Sequence, residues 1–148
     1  WDKVMNINLK SVFFLTQKLV PFLREQASAD QPAKVINIAS VDGLRPPRLE
    51  TYSYAASKGG LIQLTRRMAK TLVDDHILVN TIAPGAFATD MNIHARDQPD
   101  AVSELIPAKR IGEPVHMAGT AVYMCSRAGD YLVGTTVTVD GGITGCNN

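Results

Sequence analysis

Two short, almost wholly apolar runs on either side of a long amphipathic stretch limit the fold more than any other feature. Residues 34–40 (KVINIAS) and 77–83 (ILVNTIA) are uninterrupted rather than alternating, as strands buried on both faces are. Between them, Leu61, Leu64, Met68 and Leu72 recur at helical spacing over about residues 54–74, whereas Ser57, Gln63, Thr65, Arg66 and Lys70 mostly fall elsewhere around the axis. Strands joined through a helix in this way belong to an α/β fold with a parallel sheet.

The flanking segments extend the alternation. From residue 1 to about 27, Met5, Leu9, Val12, Phe13, Leu19, Val20 and Leu23 mark one helical face, and Val4, Ile7, Phe14, Leu15 and Phe22 widen it. A band that broad predicts packing on the chain's own sheet and on a partner subunit, with Pro21 marking a kink or a boundary. Residues 28–33 form a polar linker. Residues 90–107 are polar and broken, with weak helical character over 100–106, and read as a lid or substrate-facing excursion. Pro114 suits the first turn of a helix to about residue 127, with Val115, Ala118, Ala121, Val122 and Cys125 predicted on its inner side. A last strand, 135–139, follows Gly134 and ends at Asp140, Gly141 and Gly142.

Composition excludes several partners. With 148 residues, 45% hydrophobic content and a formal charge of +1, the chain suits one domain or part of one and has no nucleic-acid tract or polybasic membrane patch. Lys10, Lys18 and Arg24 interrupt the first apolar segment, so it is neither a membrane span nor a signal peptide. Cys125 and Cys146 are too few for a metal cage or a disulfide framework and are expected as free thiols in a reducing compartment, the cytoplasm. His76, His94 and His116 share no ligand spacing, so no metal is expected. The chain opens at Trp1 within a helical pattern, which reads as a piece of a longer protein.

The candidate chemistry lies at Tyr54 and Lys58. Four apart on a helix, they share a face, and a nearby cation favours phenolate over phenol. Tyr52 is six residues from Lys58 and falls on another side. Ser40 ends the first strand and Thr89 lies beyond Pro84 and Gly85 at the end of the second, where open α/β sheets bind ligands; taken by itself, Ser40 better suits a turn cap. Asn8 is a modest helix former within the first helix, placed there either to face water or to bring an amide or a local distortion to a site.

Taken in order, Asn8, Ser40 at a strand end, Tyr54 with Lys58, Pro84-Gly85 with Thr89, the segment RIGEP at 110–114 and VDGG at 139–142 resemble the carboxyl-terminal part of the short-chain dehydrogenase/reductase family, over essentially the whole chain. The resemblance implies a doubly wound, Rossmann-type sheet forming one domain over 1–148, and hydride transfer between NAD or NADP and a small-molecule ketone or secondary alcohol. It implies Tyr54 as general acid or base, Lys58 on the nicotinamide ribose, Ser40 on the carbonyl oxygen, and Asn8 holding a water beyond Lys58. It further implies Pro84, Gly85, Phe87 and Thr89 around the nicotinamide carboxamide. Residues 82–85 and 110–114 look most like those of 3-oxoacyl-acyl-carrier-protein reductases. Assembly into a dimer or homotetramer through helices 2–27 and 54–74 is expected.

The departure from the family is that the strand, glycine-rich turn and helix that hold the pyrophosphate are not found in these residues. The chain by itself is therefore expected to be poorly soluble or inactive. The rival expectation is a non-catalytic interaction domain assembling through the apolar helix around residues 5–23.

Overall fold

The computed structural model describes residues 1–146. Three strands, β1 (Ala33–Ile38), β2 (Ile77–Pro84) and β3 (Thr136–Val139), form a parallel sheet in the order β1-β2-β3, with Ala33 opposite Ile77 and Thr81 opposite Thr136. The parallel α/β reading holds, with strand ends within two residues of the expected ones. β2 lies in the centre and is buried along nearly its whole length, as its unbroken apolar run requires.

The first helical segment is not one uniform helix. It runs as α1 (Asp2–Met5), a π-helical turn (Asn6–Lys10) and α2 (Ser11–Gln26), so the distortion allowed for at Asn8 is present. Pro21 stands inside α2 without ending it. The broad apolar band divides in two. Leu9, Val12, Val20 and Leu23 pack inward, while Phe13 and Leu19, expected on that same face, are exposed together with Ile7, Phe14, Leu15 and Phe22.

The central helix α3 (Tyr52–Leu72) begins two residues before the expected start and covers one face of the sheet. Leu61, Met68 and Leu72 are buried as their spacing predicts, against Ala39, Ile62, Ile77 and Val79. Ser57 and Thr65, expected away from this face, are both fully buried. Each has a polar partner there. Thr65 Oγ1 accepts from Asn37 Nδ2 at 2.8 Å and Ser57 Oγ accepts from Asn8 Nδ2 at 3.1 Å, so hydroxyls enter the interface where another amide meets them.

The excursion forms two short helices, α4 (Ile93–Asp97) and α5 (Pro99–Glu104), anchored by buried Ala95 and Ile106. On α6 (Pro114–Cys125) the inner side differs from the expected one. Met124 is buried, whereas Val115, Ala118, Val122 and Cys125 are exposed and Ala121 is half-buried. Spacing defined a stripe on this short, apolar helix, but most of its positions are apolar, so the pattern does not select a side. Among the described residues, no helix is long and apolar enough to cross a membrane.

Candidate active site

The carboxyl ends of β1 and β2 open into a cleft of about 1950 Å³. Ser40, Tyr54, Lys58, Pro84, Gly85, Phe87 and Thr89 line it; Asn8 does not, and neither does Tyr52, which is 71% exposed. The sequence-predicted residues are thus brought to one cleft with one exception.

Local packing explains how a strand end and a helix start meet. After β1 the chain turns through Val41–Gly43 as a 3₁₀ turn, with Ser40 Oγ accepting from Asp42 N at 3.1 Å. Gly43 then lies directly on the backbone of α3, where a Cβ would come within 2.6 Å of the Lys58 carbonyl carbon. Only glycine permits that approach, and it draws the serine loop onto the turn bearing Tyr54 and Lys58. The Ser40 hydroxyl meets the turn-cap reading directly. It also neighbours the phenol of Tyr54, whose pKa it pulls down.

The net direction at Tyr54 is nevertheless upward. Burial is the largest cause, and the neighbouring Asp42 carboxylate adds to it against the lowering by the Ser40 hydroxyl. The expected lowering by Lys58 does not set the balance. Lys58 Nζ donates to Ile38 O at 2.8 Å and stands over the tyrosine ring, 5.6 Å from its centroid. Burial also lowers the pKa of Lys58, and it raises that of Asp42 against the opposing charge of Arg45.

At the end of β2, Gly85 N donates to Val139 O at 3.0 Å and Phe87 packs on Gly112, whose N donates to Ala86 O at 2.8 Å. Thr89 is exposed, and its hydroxyl accepts from Asn92 N at 3.1 Å ahead of α4, a turn-capping use. Asn8 is held behind the cleft through Ser57, which also donates to Tyr54 O at 2.7 Å. The part played by Ser57 was not read from the sequence. A hydroxyl one residue before Lys58 was the available signal, but helical spacing alone placed it off the packed face.

A family model described as Enoyl-(Acyl carrier protein) reductase matches residues 1–144. The chain belongs to the short-chain dehydrogenase/reductase family. Curated relatives include the rhamnolipids biosynthesis 3-oxoacyl-[acyl-carrier-protein] reductase of Pseudomonas aeruginosa, 46% identical over 145 residues, which cover 96% of this chain and 57% of the relative. The 2-dehydro-3-deoxy-D-gluconate 5-dehydrogenase of Escherichia coli is 42% identical over 149 residues, covering 96% of this chain and 56% of the relative. Among solved structures, the Pseudomonas aeruginosa RhlG/NADP active-site complex superposes with a TM-score of 0.93 at 45% identity, covering 97% of this chain and 57% of that one. The chain therefore spans little more than half the length of these short-chain dehydrogenase/reductase relatives.

Proposed function

We propose that residues 1–148 form the carboxyl-terminal catalytic part of a single Rossmann-type domain in an NAD(P)-dependent oxidoreductase, which interconverts a ketone and a secondary alcohol. The observation that carries this reading is the meeting of the Ser40 hydroxyl, the Tyr54 phenol and the Lys58 ammonium in one cleft at the strand ends. The NADP named with the RhlG complex is consistent with the cofactor class.

The residues present suit the nicotinamide half of such a cofactor. Lys58 is a partly buried ammonium with one donor engaged at Ile38 O and two more N–H groups to offer, which suits a vicinal ribose diol. Pro84, Gly85, Phe87 and Thr89 form the wall beside it, where the carboxamide would lie. The cofactor supplies or accepts the hydride.

The chain's own residues handle orientation and the proton. Ser40 Oγ holds the substrate oxygen beside Tyr54, so that one oxygen faces two hydroxyls. In reduction, Tyr54 donates its phenolic proton to the developing alkoxide; in oxidation, the phenolate accepts the alcohol proton. A raised phenol pKa keeps Tyr54 protonated at neutral pH, which suits reduction. Lys58 stabilises the phenolate left after transfer, and Asn8 stands behind this pair with its amide on Ser57.

For substrate, a 3-oxoacyl thioester is favoured by the name of the Pseudomonas aeruginosa relative, with sugar acids the alternative raised by the gluconate dehydrogenase. The exposed apolar row Ile7, Phe14, Leu15 and Phe22 favours assembly as a dimer or tetramer, and the same row supports the rival reading of a non-catalytic assembly domain. The two exposed free cysteines suit a reducing compartment such as the cytoplasm. The 1–148 segment on its own is expected to be inactive. The test is hydride transfer from NADPH or NADH to 3-oxoacyl thioesters by the intact protein and by Tyr54→Phe. Turnover lost in the variant with nucleotide binding retained supports the enzyme; no turnover in either supports the assembly domain.

A further inference from the structure

Asn8 and Tyr54 belong to different helices, yet one buried hydroxyl touches both. Ser57 is fully buried, and its Oγ accepts from Asn8 Nδ2 at 3.1 Å while donating to the Tyr54 carbonyl at 2.7 Å. The Asn8 end of this tie is on the π-helical turn, Asn6–Lys10, where the helix is locally overwide. The Tyr54 end is the turn of α3 that also carries Lys58. Leu9, next to Asn8, packs close to Gly60, where a Cβ would come within 3.1 Å of a leucine methyl, so the two helices are in close approach at this level.

We propose that Ser57 is a positioning residue: it fixes the Tyr54–Lys58 turn of α3 to the π-helical turn, and Asn8 acts on the chemistry through this contact. The proposal rests on the reading of Tyr54 as the acid or base and adds how that group is held. Its physical content is directional. Tyr54 neighbours Ser40, whose hydroxyl pulls the phenol's pKa down, and lies beneath the Lys58 ammonium, 5.6 Å from its ring centroid. Both interactions fall off steeply with displacement, so a turn released from Asn8 loses part of each. Removing Asn8 also leaves the fully buried Ser57 hydroxyl without its amide donor.

The experiment uses the intact protein and the variants Ser57→Ala, Asn8→Ala, their double and Tyr54→Phe. Each single change is expected to lower kcat by roughly tenfold with cofactor KM within about twofold, and the double to fall no further than the worse single, since the two residues act as one unit. A second readout needs no turnover. Ultraviolet difference titration of tyrosinate, taken against Tyr54→Phe without nucleotide, is expected to show Tyr54 ionising at higher pH in both singles. Multiplying losses in the double, or a Tyr54 titration that stays in place while thermal stability falls, overturns the proposal and leaves Ser57 a packing residue. Should Ser57→Ala not fold, Ser57→Cys fills the same space with a weak donor, and the same two outcomes apply. Turnover surviving in Tyr54→Phe rejects the catalytic reading instead, while the titration still reports on the tie.

Discussion

The two walls of the cleft are built differently. One wall, carrying Ser40, Tyr54 and Lys58, is set by a strand end, a helix start and several mutual contacts: Gly43 seated on the backbone of α3, Ser40 capping its own turn, Lys58 on Ile38 O, and Ser57 on Asn8. The other wall is formed by Met91, Asn92 and α5, with Met91 84% exposed; α4 lies outside the cleft lining, and there Arg96 pairs with Asp90 at 2.8 Å and Asp97 at 2.7 Å in open solvent. Exposed pairs of that kind contribute little because water screens both charges. The contrast teaches a division of work. Groups that must keep a fixed geometry stand on rigid elements, while the loosely held wall is where substrates would be told apart.

The largest expected effect tests that division at its centre. Tyr54→Phe in the intact protein removes the proposed proton donor and should lower kcat by about 10²–10⁴, with nucleotide affinity little changed. Met91→Ala on the second wall should shift substrate KM instead and leave kcat close to wild type. Steady-state kinetics on the two variants measures both, and equal losses of kcat would break the contrast.

A second difference lies in stability. Leu61, 1% exposed, packs α3 against Ala39 at the strand end beside Ser40, so Leu61→Ala should cost about 2–5 kcal/mol by denaturant titration. Leu105, 52% exposed on the second wall, should cost within about 0.5 kcal/mol when made alanine. Thr65→Val is intermediate. It keeps the shape but removes the acceptor for Asn37 Nδ2 inside the interface, for an expected cost of about 1–3 kcal/mol. A negligible cost there would mean that the Asn37 amide finds water, and that this wall is less tightly closed than its burial implies.

How much of this was legible follows the same line. The unbroken apolar runs around Val35 and Val79 pointed to the parallel sheet, and the spacing Leu61, Leu64, Met68, Leu72 to the helix over it. Two-sided burial holds for β2 alone: β1, with β2 as its one sheet neighbour among the described residues, is mostly half-buried and Ile38 is 49% exposed. Helix spacing put Tyr54 and Lys58 on one face and strand polarity put Ser40 at a strand end, but their grouping came from the resemblance to the short-chain dehydrogenase/reductase family. Ser57 and Thr65 were not legible, since a polar residue enters a core only when a specific distant partner awaits it, and Asn8 and Asn37 are far away in sequence. The inner side of α6 was lost for the opposite reason: with Val115, Ala118, Val122 and Cys125 all apolar and all exposed, there was no polar face to read against. The direction of the Tyr54 pKa was missed because spacing shows a neighbouring charge but not the burial that opposes it.

The smallest effect concerns the field within the first wall. Asp42 lies on the serine loop, and its carboxylate raises the pKa of Tyr54; its own pKa is raised by burial but starts from the carboxylate range, far below that of a phenol. Asp42 is therefore ionised throughout the pH range in which Tyr54 titrates. Asp42→Asn removes that negative charge, so phenolate forms more readily and the Tyr54 pKa falls. Alcohol oxidation needs phenolate and rises through this pKa, so its limb in a plot of kcat/KM against pH should move to lower pH. Carbonyl reduction needs the phenol and declines through the same pKa, so its limb should move to lower pH as well. Asp100→Asn, on the second wall of the same cleft, serves as the control and should leave both limbs in place. A limb that moves equally in the two variants would show that the phenol responds to the summed charge of the cleft rather than to the serine loop, and the two walls would then be electrostatically one.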